Sequence, residues 1–172
     1  MKRCYLVVGP ESAGNRLLAS LLVRAGCIGT ASTDQQWTPE KETPCVLIRS
    51  YPHGDTWPSL HQLKRQLEDK EYEVFTLVTV RHPVALLKSQ VNRGHAEDLG
   101  LAASQMRQAY IRIFSELSGH FYVVPKESLV LHPREAVRAL LHLIGLPGIT
   151  DGPLVIEGRE RHISDENWNH YE

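Results

Sequence analysis

The chain has 172 residues, of which 42% are hydrophobic and 23% charged, a composition typical of a globular domain and unlike that of a disordered or fibrous protein. Its formal net charge of -1 excludes a general electrostatic attraction to nucleic acid or to an anionic membrane. No apolar run approaches the roughly 18 residues of a membrane span. We therefore expect one domain over residues 1–172, without membrane insertion and located in the cytoplasm.

The three cysteines, Cys4, Cys27 and Cys45, are widely spaced, odd in number and free of any CxxC pattern. Neither a disulfide framework nor a cysteine zinc site is indicated, and a reducing compartment is expected. No pair of histidines has the helical spacing, with a carboxylate between, that is typical of a zinc hydrolase. The sequence therefore predicts no metal site.

The first third of the chain alternates a strand, a helix and a second strand. Residues 5–8 form a short apolar run that ends in Gly-Pro, and apolar residues then recur with helical spacing over 17–25. Residues 30–44, rich in Thr, Ser, Gln and Pro, are predicted to be an exposed connection. A second buried strand is predicted at 46–48, followed by a loop at 51–55.

The same alternation continues through the rest of the chain. Leucines at helical spacing over 60–67 precede Val74–Val80, whose near-continuous apolar run is typical of a strand buried on both faces of a parallel sheet. Further helices are predicted over 84–91 and 99–117, a strand over 121–124, and a helix over 133–145. We expect a three-layer α/β/α fold with a central parallel sheet, of the P-loop NTPase type.

A glycine-spaced loop joins the first strand to the first helix. The segment Gly9-Pro10-Glu11-Ser12-Ala13-Gly14 has the two-glycine spacing of a P-loop, in which backbone N–H groups and a helix N-terminus surround phosphate oxygens. Asn15 and Arg16 replace the usual Lys-Ser/Thr pair, which disfavours ATP hydrolysis. Taken alone, the segment fits a tight turn before a helix as well as it fits a phosphate site.

A second motif follows the third predicted strand. Arg81 lies at the carboxyl end of that strand, where open α/β sheets bind ligands, and a guanidinium there can hold a phosphate bidentately. Ser89 is eight residues further on, about two helical turns, and can face the same crevice if the helix begins near Pro83. Each residue by itself would be read as an ordinary surface arginine or helix serine.

Together these segments resemble the sulfotransferase superfamily, whose members have a P-loop-like fold and use 3′-phosphoadenosine 5′-phosphosulfate as donor. Residues 8–18 are similar to the 5′-phosphosulfate loop of the heparan-type branch, and Thr79–Val84 with Ser89 is similar to the 3′-phosphate motif. Residues 122–147, with Glu-Ser-Leu at 127–129, resemble the late strand and helix of the family. The order of the three segments is the most specific part of the resemblance.

The resemblance implies a set of nucleotide-binding residues and a product, adenosine 3′,5′-bisphosphate. The loop residues would hold the 5′ end, Arg81 and Ser89 the 3′-phosphate, and Arg161 would belong to a basic C-terminal segment that closes the site. The implied loop residues are Ser12, Ala13, Gly14, Asn15 and Arg16. Ser12 stands where the family normally has a lysine near the transferred sulfuryl group.

Candidates for the chemical step follow the second strand. Arg49 ends that strand, and the next four residues, Ser50 to His53, are similar in placement to the Lys/His segment that supports catalysis in the cytosolic branch. His53 and Tyr51 compete as the general base, with His53 preferred because imidazole titrates near neutral pH. Arg49 and Arg16 are alternative sources of the positive charge that Ser12 does not supply.

Three functions are consistent with these residues. The first is sulfuryl transfer from the nucleotide to a hydroxyl or amine of a small molecule or glycan. The second is a P-loop nucleotide or small-molecule kinase, which the glycine loop favours and the missing Lys-Ser/Thr pair disfavours. The third is a non-catalytic nucleotide-binding protein, which Ser12 in place of the family lysine favours.

Overall fold

The fold is a four-stranded parallel sheet between two layers of helices. In this computed structural model the described residues are 2–29, 44–51 and 58–149. The elements are β1 (Lys2–Pro10), α1 (Asn15–Arg24), β2 (Cys45–Tyr51), α2 (Leu60–Glu68), β3 (Tyr72–Val80), α3 (Pro83–Asn92), α4 (Leu99–Glu116), β4 (Phe121–Pro125), α5 (Lys126–Leu131) and α6 (Pro133–Leu143). The expected α/β/α architecture with a parallel central sheet is confirmed.

The sheet order is β2-β1-β3-β4, with every neighbouring pair parallel. The chain leaves β1 towards one edge, to β2, and then returns past β1 to form β3 and β4 on the other side. The connections therefore diverge between β1 and β3, and ligands of open α/β sheets bind outside the carboxyl ends of the strands at such a point. The loop after β1 and the residues after β3 lie at that position.

Each face of the sheet is covered by a separate set of helices, because alternate residues of the central strands point to opposite faces. Tyr5 and Val7 pack with apolar residues of α1, α5 and α6, whereas Leu6 and Val8 pack with residues of α2 and α4. Since β1 is apolar on both faces, both layers exclude water from the strand that carries the loop. The backbone at the carboxyl end of β1 is thereby held in place from both sides.

The end of β2 and the presence of α5 differ from the sequence-based prediction. The second strand continues through Tyr51, which had been assigned to the following loop, because Val8, Gly9 and Pro10 of β1 pair in register with residues 49–51. The short helix α5 was not predicted. Its six residues are too few to show helical periodicity, and Pro133 begins α6 almost immediately afterwards.

Several predicted features lie outside the described residues. They are the exposed connection at 30–43, most of the loop after β2, including His53, and the tail from Asp151, including Arg161. Within the described ranges, no helix combines the length and the apolarity that crossing a bilayer requires.

Candidate nucleotide site

The loop between β1 and α1 contains the tight turn before a helix that its two-glycine spacing is compatible with. Ala13 N–H donates to Pro10 O at 3.2 Å, which closes a tight turn, and Ser12 in that turn has a left-handed φ of 67°. Gly14 has a φ of 109°, a region that side-chain-bearing residues rarely adopt, and it immediately precedes α1. Gly14, the residue before α1, has no side chain that could accept from the first N–H groups of the helix, which have no intrahelical acceptor. A helix N-terminus of this kind is suited to an anion such as a phosphate.

Asn15, the first residue of α1, fixes the loop from inside. Its Nδ2 donates to Gly9 O at 3.1 Å, to Pro10 O at 3.2 Å and to Ser50 Oγ at 2.8 Å, while its Oδ1 accepts a hydrogen bond from Thr79. A side chain at Gly9 would clash with that Thr79 hydroxyl, so glycine is needed for the close approach of β1 and β3. Both polar atoms of the Asn15 side chain are therefore hydrogen bonded within the protein interior.

Arg81 joins the loop from the neighbouring strand. It is the residue after β3, is only 6% exposed, and its Nη1 donates to Ser12 O at 3.2 Å. The sequence predicted Arg81 at this edge, and the structure brings it to the loop. Ser12 contributes its carbonyl oxygen, whereas its hydroxyl is shielded from solvent and has no hydrogen-bond partner among the described residues.

Helix α3 supports the loop from a second direction. Gln90 is 1% exposed and its Nε2 donates to Glu11 O at 3.2 Å, and His95 Nε2 lies 3.7 Å from Glu11 Oε2. Ser89, the predicted 3′-phosphate residue, is buried on the same face of α3 as Gln90. Pro83 begins this helix, as predicted.

Two further cationic side chains, Lys126 and Arg93, lie near the loop. Neither was predicted from the sequence to belong to the site. Lys126 is 3% exposed, and its stem lies so close to Gly14 that a Cβ on that glycine would be 3.2 Å from Lys126 Cδ. Burial, with Arg81 and Arg93 nearby, lowers the pKa of Lys126 to about 7. Partial desolvation, together with Arg81 and Arg16, lowers the pKa of Arg93. The loop is thus the centre of a cluster of positive charges.

A sequence signal for Lys126 existed. It is the first residue after the fourth strand, and in a parallel sheet that position lies on the same edge as the residue after the third strand. There was less reason in the sequence to place Arg93 at the site, because Arg93 follows a helix rather than a strand. The packing of α3 brings it to the loop.

Two candidates for the chemical step, Arg49 and Tyr51, lie on the face of the sheet covered by α2 and α4. Arg49 is 5% exposed and its Nη2 donates to Pro58 O at 2.9 Å. The Tyr51 hydroxyl donates to Glu116 Oε2 at 3.1 Å, and the Arg112 guanidinium stacks over its ring. Burial and the nearby Glu116 raise the pKa of Tyr51, which keeps the phenol protonated.

Residues 2–29, 44–51 and 58–149 contain no cluster of three or more His, Cys, Asp or Glu side chains able to hold a metal ion.

Comparison with protein-family models gave no match for this sequence, and comparison with curated proteins gave none either. Among solved structures, the chain is similar to the sulfotransferase domain of the olefin synthase from Synechococcus PCC 7002. The match has a TM-score of 0.57 and 16% sequence identity, and it covers 100% of this chain and 83% of that domain. The chain therefore has the fold of a sulfotransferase domain, as the resemblance of its motifs implied.

Proposed function

We propose that this protein binds 3′-phosphoadenosine 5′-phosphosulfate and transfers its sulfuryl group to a hydroxyl or amine of a small molecule or glycan. The observation that carries the proposal is the convergence of Arg81, Arg93 and Lys126 on a P-loop-like turn, in a sulfotransferase fold. The donor is highly anionic, and its leaving group is a phosphate. A catalyst for this transfer needs fixed positive groups around both.

The surroundings of the loop support an anion rather than a cation as ligand. Besides burial, Arg81 lies close enough to lower the pKa of both Arg93 and Lys126, and Arg93 also lowers that of Lys126; among the described residues, Glu11 opposes the effect at Arg93 and Glu127 opposes it at Lys126. Like charges brought together in this way repel each other in the absence of a counter-ion. An anionic ligand at the loop would relieve that repulsion.

The conformation of Asn15 argues against the kinase alternative. It occupies the position of the phosphate-binding lysine in ATP-hydrolysing P-loops, yet its amide is turned inward onto Gly9, Pro10 and Ser50. The next residue, Arg16, offers no hydroxyl for magnesium. We therefore propose a nucleotide without a required magnesium ion.

The general base in this proposal is His53, which follows β2 in the sequence and whose imidazole titrates near neutral pH. Tyr51 is the weaker candidate, because its hydroxyl is hydrogen bonded to Glu116 and its pKa is raised. Arg161 remains a proposed nucleotide ligand from the C-terminal segment. We also propose a cytoplasmic location, in keeping with three buried cysteines that are free thiols.

The test is a set of calorimetric titrations with adenosine 3′,5′-bisphosphate, adenosine 5′-monophosphate and ATP with magnesium. We expect the bisphosphate to bind best. Arg81→Ala should weaken bisphosphate binding about tenfold to hundredfold and monophosphate binding less, because a charge-assisted contact is worth about 1.5 to 3 kcal/mol. Arg81→Lys should restore only part of the loss, since an ammonium lacks the planar fork.

Equal losses for both adenosine nucleotides would contradict the assignment of Arg81 to the 3′-phosphate. Stronger binding of ATP with magnesium would favour a kinase. Binding of the bisphosphate, with no release of it from the phosphosulfate donor in the presence of a panel of acceptors, would favour the non-catalytic alternative.

A further inference from the structure

The phosphate loop lacks a cation of its own at the position where the resemblance places one. Ser12 stands there; its hydroxyl is shielded from solvent, and its carbonyl is occupied by Arg81. The other candidates for a replacement are unevenly placed. Arg16 is exposed on α1, and Arg49 lies on the opposite face of the sheet from α1, with its guanidinium on Pro58 O. A cation for this position must therefore be brought to the loop by another element of the fold.

The register between β3 and β4 brings Lys126 to this edge of the sheet. Val80 of β3 lies opposite Pro125 of β4, so Arg81 and Lys126 are the next residues of neighbouring strands, on the edge of the sheet where the loop lies. Lys126 then begins α5, and its Cβ, Cγ and Cδ line the Gly14 backbone within 3.4 Å of where a glycine Cβ would be. Its chain thus runs along the residue that precedes α1, whose N-terminus is the phosphate-binding end of the loop.

We infer that Lys126 supplies the positive charge at the 5′-phosphosulfate end of the nucleotide. The phosphate loop does not supply this charge itself, because residue 12 is a serine. The inference rests on the proposed function and assigns one residue of that site. Lys126 replaces the missing loop lysine in charge and approximate location while coming from a different element of the fold.

Lys126 also differs from a lysine in open solvent in the pKa of its amine. Burial, Arg81 after β3 and Arg93 after α3 all lower its pKa, which is about 7, whereas Glu127 acts in the opposite direction. In the ligand-free protein much of the lysine is therefore neutral at pH 8. A phosphate next to the amine favours the charged form, so binding of the nucleotide should take up a proton.

The experiment measures that proton directly. Adenosine 3′,5′-bisphosphate and adenosine 5′-monophosphate are titrated calorimetrically at pH 8 in HEPES and in Tris, two buffers with different ionisation enthalpies. The protein is used unmodified, as Lys126→Met, and as the control Lys88→Met, which removes an exposed lysine of α3. At this pH, histidines with ordinary pKa values are neutral and the ligand phosphates are already doubly ionised. Proton uptake by any other group would persist in Lys126→Met and would thereby be distinguished from uptake by Lys126.

We expect the unmodified protein and Lys88→Met to take up close to one proton per nucleotide, and Lys126→Met to take up none. Lys126→Met should lose about tenfold in affinity for both nucleotides, because the contact is with the 5′ phosphate that they share. Methionine preserves the stem that packs on Gly14, and Lys126→Gln is the second uncharged variant if Lys126→Met folds poorly. The melting temperature of ligand-free Lys126→Met should not fall, since methionine keeps the packing of the stem and removes an amine that is buried near other cations.

Three results would overturn the inference while leaving the proposed function intact: bisphosphate binding without proton uptake, uptake that persists in Lys126→Met, or a loss confined to the bisphosphate. The last result would place Lys126 at the 3′-phosphate instead. If the unmodified protein binds neither adenosine nucleotide, the proposed function fails and this inference fails with it.

Discussion

Single residues decide whether the loop can accept a phosphate, and Gly14 is the clearest case. Its φ of 109° and the Lys126 stem beside it leave room for a glycine but not for a branched side chain. Gly14→Val should therefore shift the loop backbone and the Lys126 chain together. We expect affinity for adenosine 3′,5′-bisphosphate to fall by about tenfold or more, the loss of at least one charge-assisted contact.

The matched control for Gly14→Val is Gly26→Val. Gly26, just after α1, has a φ of 98°, and nothing lies within 4 Å of where its Cβ would be. Both variants should lose stability from backbone strain, about 1 to 2 kcal/mol each. Only Gly14→Val should lose nucleotide affinity. Calorimetry on protein shown by circular dichroism to be folded makes the comparison, and unchanged affinity in Gly14→Val would contradict the assignment of the loop.

At the scale of elements, Glu116 at the end of α4 joins three parts of the fold. Its carboxylate accepts from Leu60 N at 2.8 Å, at the start of α2, from the Tyr51 hydroxyl at 3.1 Å in β2, and from Arg112 Nε at 2.9 Å. Burial acts to raise the pKa of Glu116, but these hydrogen bonds outweigh it and hold the pKa below its ordinary value of 4.5. The charged form is thus the one that stabilises the fold.

Glu116→Gln should destabilise the protein by about 1 to 3 kcal/mol at pH 7, because a neutral amide cannot satisfy all three donors. The group's folded pKa is depressed, so its stabilising effect is fully present above the unfolded value of 4.5 and is lost as the pH falls through the lower folded value. The difference from the unmodified protein should therefore be constant between pH 6 and 7 and shrink below about pH 4.5. Urea unfolding at several pH values measures it.

Glu68→Gln is the control for this effect. Glu68 lies at the exposed end of α2, in a surface pair with Lys64 at 3.7 Å, and its substitution should change stability by less than about 0.5 kcal/mol. Similar losses in Glu68→Gln and Glu116→Gln would show that Glu116 has no special role in joining α4 to β2 and α2.

At the scale of the whole molecule, the distribution of charge matters more than its sum. The net charge of -1 predicts no anion affinity, yet the fold gathers Arg81, Arg93 and Lys126 at one edge of the sheet. The three cysteines, by contrast, are uncharged side chains that the fold buries: Cys4, Cys27 and Cys45 are 0%, 4% and 1% exposed. They lie near one another beneath the opposite, amino-terminal edge of β1 and β2.

These buried thiols should report global unfolding. Burial, together with the nearby Cys45, raises the pKa of Cys27 to about 12, and thiol reagents attack the thiolate. Reaction with Ellman's reagent at pH 8 should therefore be slow in the native protein and follow the unfolding seen by circular dichroism, reaching three equivalents in guanidinium chloride. Ser115→Cys, on the exposed face of α4, should add one equivalent that reacts at once. Rapid labelling of the unmodified native protein would show that this edge of the sheet opens locally.

The sequence by itself determined the fold class and the polar motifs of the site. Short, near-continuous apolar runs alternate with helices of period 3.6 strongly enough to predict a parallel sheet between helices, and that fold is confirmed. The two-glycine spacing predicted a tight turn or a phosphate loop before α1, and the structure has a turn there with Gly14 at a left-handed φ. Arg81 was predicted as a candidate because it directly follows the most apolar strand.

Only the tertiary structure decided which other side chains reach the loop. Lys126 meets Gly14 because β3 and β4 are adjacent and in register at Val80 and Pro125, a long-range pairing that leaves no local pattern in the sequence. In the same way, the hydroxyl of Tyr51 is turned to Glu116 by the packing of α4, 65 residues away along the chain. Local periodicity specifies elements, whereas charge clusters and pKa values depend on distances between elements, and these are fixed only when the layers pack.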